Sequence, residues 1–398
     1  MSVEHGSSTR TSPPRPTRRE LLLGAAGGVV LLGGVGCAAS GAGGGAPAAP
    51  GAGTGPVEGS AGGTGASKPL GVALLGLGDY STKQLGPALA ATRYCRLRGV
   101  VTGSPDKAAR WQREHDIPAS NVYDYESLPR IASNPDIDVV YVVTPTALHA
   151  KYAIMAADAG KHVWCEKPMA MTVAECEAII AACKRNNVSL SLGYRMQHEP
   201  NTQTVMRFAR EKPYGPVQRI EAVAGSRTDG DEGWRMVRSM GGGALYDMGV
   251  YSINAIRYAS GEEPVRVLRA RQWADRPELF REVDESSEFE LELPSGAIGY
   301  GRASRFDPRN YLRVEARHGW YRLEPMQAYK GVQGETSDGK KLDQRVDRQQ
   351  TLQMDDDARA ILEHRPPQVP GEEGLRDIRI LQAILESVRT GAPVTLSG

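Results

Sequence analysis

Cysteine is scarce in this chain and forms no pattern. Five occur in 398 residues, at Cys37, Cys95, Cys165, Cys176 and Cys183, with no CxxC pair and no His/Cys cluster. That excludes a disulfide framework and cysteine-ligated zinc, and the sequence predicts no metal site. An excess of either charge is also missing. Lys and Arg total 48 against 47 Asp and Glu, and no basic block follows residue 19, which argues against nucleic acid as a partner. Aromatic residues are few (6%), yet 40% of the chain is hydrophobic, enough for two domains with sizeable cores.

The N-terminal apolar run, residues 21–36, is Gly-rich and shorter than the ~20 residues a spanning helix needs. Arg18 and Arg19 precede it in "TRRELLLGAAGGVVLLGGVGC" (17–37). Residues 1–37 therefore read as a twin-arginine export signal, a substrate of the machinery that exports folded proteins. "GVGC" resembles a lipobox and makes Cys37 a candidate lipid anchor; cleavage within "CAAS" is the alternative. Residues 38–68 are almost entirely Gly, Ala, Ser, Thr and Pro, which cannot offset their ordering entropy by burial. As a flexible tether they span about 30 Å root-mean-square; the other reading is an arm that orders on a neighbouring subunit. The protein is therefore expected in the periplasm, or tethered to the outer side of the cytoplasmic membrane.

From residue 69 the pattern changes to alternating strands and helices. "LGVALLGLGDY" is a buried strand entering a glycine turn, with Gly76 for the sharp bend and Gly78 for close approach of a pyrophosphate. Ser81 stands where GxGxxG has its third glycine, and "QLGPALAAT" can begin the helix that follows. "LRGVVTG", "IDVVYVVTP", "HVWCEKP" and "VSLSLGY" continue the strands, with helices expected over 107–114, from 149 and over 172–186. This is an α/β doubly wound parallel sheet, a Rossmann domain over 69–192, whose ligands bind at the carboxyl ends of the strands. "GLG", "TP" and "EKP" all fall there. The second strand ends in Thr102-Gly103-Ser104 with Lys107 close behind and no carboxylate before Asp106. A hydroxyl and a cation suit the 2′-phosphate of NADP better than the bare ribose of NAD. Residues 193–398 carry alternating strands such as "VRVLRARQW", "SSEFELELPSG" and "YLRVEAR", which predict an α+β domain with a large, mostly antiparallel open sheet.

Three residues suggest chemistry. Lys167 follows an apolar strand in "CEKPMA", where a lone lysine is otherwise a solvated cation. Asp247 and Tyr251 in "GGGALYDMGVY" are four apart and share a helix face, as a buried hydrogen-bonded pair also would. Glycines 241–243 let the chain pass close to a ligand or another backbone. Taking hydride from a carbinol carbon requires the hydroxyl proton to leave. A phenol titrates near ~10, and an adjacent ammonium stabilises the phenolate. Asp247 is left to orient the sugar or the lysine.

Over roughly 70–398 the chain resembles the Gfo/Idh/MocA oxidoreductases. The motifs are "GLGDY", "YDY", "TPTALHAKYAI", "AGKHVWCEKPMA", "GYR", "GWR", "GGGALYDMGVY", "GEEPVRV" and "GEEGLRDIRILQAI". Tyr251, where many relatives carry His, points to the glucose–fructose oxidoreductase type. The resemblance implies Lys167, Asp247 and Tyr251 at the reaction centre. It implies NADP, expected to be tightly bound if the protein is exported, contacted by the turn residues Gly76, Leu77, Gly78, Asp79 and Tyr80. Further implied contacts are Thr102, Lys107, Tyr125, Thr144, Pro145, His149, Glu166, Lys167, Arg195, Trp234, Arg235 and Tyr329. The expected substrates are small sugars: an aldose oxidised to its lactone and a second sugar reduced to a polyol on one cofactor. A homodimer or homotetramer through the outer face of the large sheet is also implied. An NAD(P)-dependent glycosidase and a simple NADP-dependent aldose dehydrogenase are the alternatives.

Overall fold

The computed structural model describes residues 68–396. The twin-arginine segment, Cys37 and residues 38–67 of the tether lie outside the described residues.

Six strands form a parallel sheet: β1 (Leu70–Leu75), β2 (Cys95–Val101), β3 (Val122–Tyr123), β4 (Val139–Val142), β5 (His162–Cys165) and β6 (Leu190–Leu192). Their order is β3-β2-β1-β4-β5-β6. β1 ("LGVALL") and β4 ("VVYV") are buried at every position, as strands covered on both faces must be. The order reverses between β1 and β4, so the chain leaves these two neighbours in opposite directions and opens a crevice at their carboxyl ends. The Val173–Arg185 helix begins in a capping box: Thr172 Oγ1 accepts the Glu175 N–H, and the Glu175 carboxylate accepts the Thr172 N–H.

The helix expected after the glycine turn is irregular. Ser81–Leu85 is π-helical and Gly86–Leu89 a single α turn containing Pro87. Proline has no N–H to give the ladder, so the regular pattern does not run through it. Ser81 is fully buried and its hydroxyl donates to the Gly76 carbonyl at 2.6 Å. The residue in the third glycine's place thus ties the turn closed.

The second sheet has nine strands. They are β7 (Val217–Gly225), β8 (Arg266–Trp273), β9 (Ser286–Glu292), β10 (Ile298–Ser304), β11 (Asn310–Ala316), β12 (Gly319–Leu323), β13 (Gly334–Thr336), β14 (Lys341–Leu342) and β15 (Val394–Thr395). The order is β14-β13-β12-β11-β7-β10-β9-β8-β15, antiparallel except where β10 runs parallel to β7. The Val250–Ser260 helix packs on its inner face, with Gly299 leaving room for Ile256. Its outer face carries cross-strand ion pairs such as Arg269–Glu290 (2.7 Å) and Arg271–Glu288 (2.5 Å).

The boundary at 192/193 is crossed by the chain. Met354 and Ala358 of the Gln349–Leu362 helix are buried in the core that contains Leu70, Val72 and Leu74 of β1. The four described cysteines, Cys95, Cys165, Cys176 and Cys183, are free and buried.

One buried ion cluster sets the helix that carries Tyr251. Arg257 is 4% exposed and donates to Asp377 (2.7 Å) and Glu373 (3.0 Å) of the Gly371–Thr390 helix and to Glu263 (2.7 Å). Removing the guanidinium leaves Asp377, itself fully buried, without its counter-charge. Arg257→Met is expected to lower stability by about 3 kcal/mol, read as a lower midpoint in denaturant unfolding. An unchanged midpoint would show that the cluster does not hold the helix.

Candidate functional site

The carboxyl ends of the first sheet gather most of the expected residues. Gly76 has φ +99°, and a Cβ there would lie 2.5 Å from the Val143 carbonyl oxygen. The turn after β1 is thereby pressed against the end of β4. A Cβ on Gly78 would meet nothing within 4 Å. Leu77 is 4% exposed and packs into the core, so only its backbone is left for the crevice. Asp79 is exposed and pairs with Lys83 at 2.6 Å, which holds its carboxyl below the usual range. Tyr80 stacks on Tyr329, ring centroids 5.9 Å apart.

After β2, Thr102 is buried, and Ser104 caps the Pro105–His115 helix by accepting the Lys107 N–H at 3.4 Å. The Lys107 side chain is exposed. Tyr125 stacks on Tyr152 at 4.9 Å and lies against Gly103, where a Cβ would meet its ring at 3.2 Å. After β4, Thr144 is buried with no partner for Oγ1, and Pro145 leads by way of a 3-10 turn into the His149–Asp158 helix. The resemblance has His149 touching the cofactor, and both of its ring nitrogens meet backbone carbonyls. One lies 2.8 Å from the Pro168 carbonyl and the other 2.8 Å from that of Thr144. His149 joins the loops after β4 and β5.

The reactive group is built after β5. Lys167 Nζ donates to the Asp247 carbonyl oxygen at 2.9 Å, lies 3.6 Å from Asp247 Oδ1, and stands 4.4 Å from the centroid of the Tyr251 ring. Burial alone would lower the Lys167 pKa; the negative charge available at Tyr251, Asp247 and Glu166 outweighs it, and the net direction is up. The ammonium is held charged. Glu166 is buried and accepts from the Tyr141 hydroxyl at 2.7 Å and from the Lys167 N–H at 3.3 Å; burial raises its pKa. Gly193 makes room for that carboxylate, since a Cβ there would lie 2.5 Å from Oε1.

Asp247 lies in a π-helical turn, Leu245–Gly249, that precedes the Tyr251 helix. Its Oδ2 accepts from Arg235 (3.2 Å) and Arg305 (3.0 Å). Arg235 stacks on Trp234 at 4.6 Å. Arg195 is 2% exposed, donates to the Ala328 carbonyl at 3.0 Å and to Gln349, and lies 4.6 Å from the Tyr329 ring and 5.9 Å from that of Tyr251. The three glycines pack on protein: a Cβ would strike Thr146 from Gly241, the Arg235 carbonyl from Gly242 and Asp284 from Gly243.

Sequence reasoning missed Arg305, Glu232, Tyr141 and Gln353. Arg305 also pairs with Glu232, and burial pulls its guanidinium down to about 10. It directly follows β10 in "YGRASRFDP", where no local pattern marks it. Gln353 donates to the Tyr141 hydroxyl at 3.2 Å from behind Glu166. A cleft of about 570 Å³ lies elsewhere, between Lys184, His364, Arg365 and Glu372.

Residues 70–194 match the oxidoreductase family with an NAD-binding Rossmann fold, and residues 202–324 match the GFO/IDH/MocA C-terminal domain. The solved aldose-aldose oxidoreductase from Caulobacter crescentus is 38% identical, with a TM-score of 0.79 over 83% of this chain and 100% of that one. The D-xylose 1-dehydrogenase [NADP(+)] of Haloarcula marismortui is 28% identical over 355 residues, 84% of this chain and 95% of its own. A solved levoglucosan dehydrogenase, at 22% identity and a TM-score of 0.71 over 83% of this chain and 100% of that one, shares the fold. The chain belongs to the Gfo/Idh/MocA oxidoreductase family, whose members include NAD(P)-dependent enzymes acting on sugars.

The residues present fit a nicotinamide nucleotide. The space above Gly78 and the unpartnered Thr144 Oγ1 both lie at the crevice where such a cofactor binds. Gly78→Val is therefore expected to leave the melting temperature of cofactor-free protein unchanged while weakening nucleotide binding about tenfold or more. Gly76→Ala should instead lower the melting temperature, because its Cβ meets backbone at positive φ. Equal effects of both on the fold, measured by thermal unfolding and nucleotide titration, would contradict this assignment.

Proposed function

We propose that the protein is an exported sugar oxidoreductase that retains NADP(H) and couples two half-reactions in one site. An aldose is oxidised to its lactone, and a second sugar is reduced to a polyol. Bound NADP supplies the hydride acceptor for the first and, once reduced, the donor for the second. The observation that carries this reading is the Lys167 ammonium fixed on the Asp247 carbonyl and against the Tyr251 ring.

As the aldose loses hydride, its hydroxyl proton passes to the Tyr251 oxygen. Lys167 stabilises the phenolate that receives it. Arg235 and Arg305 hold the Asp247 carboxylate, which keeps the lysine in place. When the second sugar accepts hydride, Tyr251 returns the proton to the alkoxide. Protons and electrons then balance without a free nucleotide, which gives the export signal a rationale: the cofactor is loaded during cytoplasmic folding and leaves with the folded protein.

The 38% identity to an aldose-aldose oxidoreductase supports an aldose as the second sugar, in place of the ketose of the glucose–fructose type. A simple NADP-dependent aldose dehydrogenase is the second reading, favoured by the likeness to the haloarchaeal xylose enzyme. An absorbance spectrum of the purified protein separates them. A reduced-nicotinamide band that rises on adding an aldose and fades on adding a second sugar, with no nucleotide added, supports retention; a requirement for added NADP in stoichiometric amounts overturns it.

Two substitutions probe the parts. Tyr251→Phe is expected to lower kcat about 10²–10⁴-fold in both half-reactions while bound nucleotide remains; an equal loss of nucleotide would assign Tyr251 to binding instead. Lys107→Ala should weaken NADP binding and leave NAD binding unchanged. Equal weakening of both would remove Lys107 from 2′-phosphate recognition.

A further inference from the structure

We propose that His198, Asp356 and Asp357 form a binding site for one divalent transition cation, separate from the nucleotide crevice. One ligand atom from each residue lies within 4.8 Å of the others. His198 is 4% exposed and Asp357 1%. Among the described residues Asp356 Oδ2 and Asp357 Oδ2 have no hydrogen-bond partner, and His198 turns Nδ1 toward Asp356. The Asp357 side chain is buried, so its unpartnered Oδ2 needs a donor, a proton of its own or a cation beside it.

The spacing suits an ion. His198 Nδ1 and Asp356 Oδ2 are 3.7 Å apart, too far for a hydrogen bond. Two ~2.1 Å ligand bonds spanning that distance meet at about 120°. Each carboxylate is oriented through its other oxygen: Ser191 Oγ donates to Asp357 Oδ1 at 2.6 Å, and Arg365 donates to Asp356 Oδ1. Such outer contacts commonly fix metal ligands. The Asp356 side chain is 25% exposed, which gives the site an approach from solvent. One imidazole with two carboxylates suits zinc, cobalt or manganese better than calcium, which takes oxygen ligands. The cation would tie the Arg195–His198 turn to the Gln349–Leu362 helix, and Arg195 at the start of that turn faces Tyr251 and Tyr329.

The test is zinc titration of the purified, chelator-dialysed holoenzyme by calorimetry, with the visible spectrum of the cobalt form as a second readout. Wild type is expected to bind about one zinc per chain. His198→Gln and Asp357→Asn should weaken binding about tenfold or more and abolish the cobalt bands. Asp356→Asn, whose side chain reaches the surface, gives the same test if Asp357→Asn does not fold. Equal binding by wild type and His198→Gln overturns the proposal. So does binding by neither, the result expected if Asp357 carries a proton of its own.

Discussion

A charged ammonium kept in a half-buried place is the constraint on which this site depends. Burial favours discharge of Lys167, and the fold opposes it with the Asp247 carbonyl and carboxylate, the Tyr251 ring and the Glu166 carboxylate. Each of the two carboxylates is itself held. Tyr141 and Gln353 stand behind Glu166, and Arg235 and Arg305 behind Asp247. The lysine's position is thus the product of contacts from β4, from the ends of β5 and β10, and from helices of both sheets' layers.

The two sheets divide the work. The parallel sheet offers a crevice where β1 and β4 part, and its loops bring backbone and small side chains to it. The nine-stranded sheet supplies a rigid floor for the helix bearing Tyr251, anchored through Arg257 to the last long helix. The Gln349–Leu362 helix closes the circuit by returning to the first sheet, so that Gln349 meets Arg195 and Gln353 meets Tyr141.

Much of this was legible in the sequence because strand ends carry local signals. "GLG", "TP" and "EKP" follow apolar runs, and a parallel sheet places such ends together. Lys167 and Tyr251 are far apart in the chain, so their pairing rested on the chemistry that hydride transfer needs and on the family resemblance. The irregular helix after the glycine turn departs from the sequence expectation, although Pro87 is its visible cause. Arg305 gave no signal at all: it is one arginine among many, and only the register of β10 brings it to Asp247. The same holds for His198 and Asp356–Asp357, which lie on segments joined by tertiary packing. His149 stands out by motif, but its two backbone carbonyl partners could not be read from spacing.

The central claim is that Lys167 and Tyr251 act as one unit. A double-mutant cycle on single-turnover hydride transfer, using Lys167→Met, Tyr251→Phe and the double variant at equal nucleotide content, tests it directly. The double variant is expected to be no slower than the worse single one. Losses that multiply would show two independent contributions and contradict it.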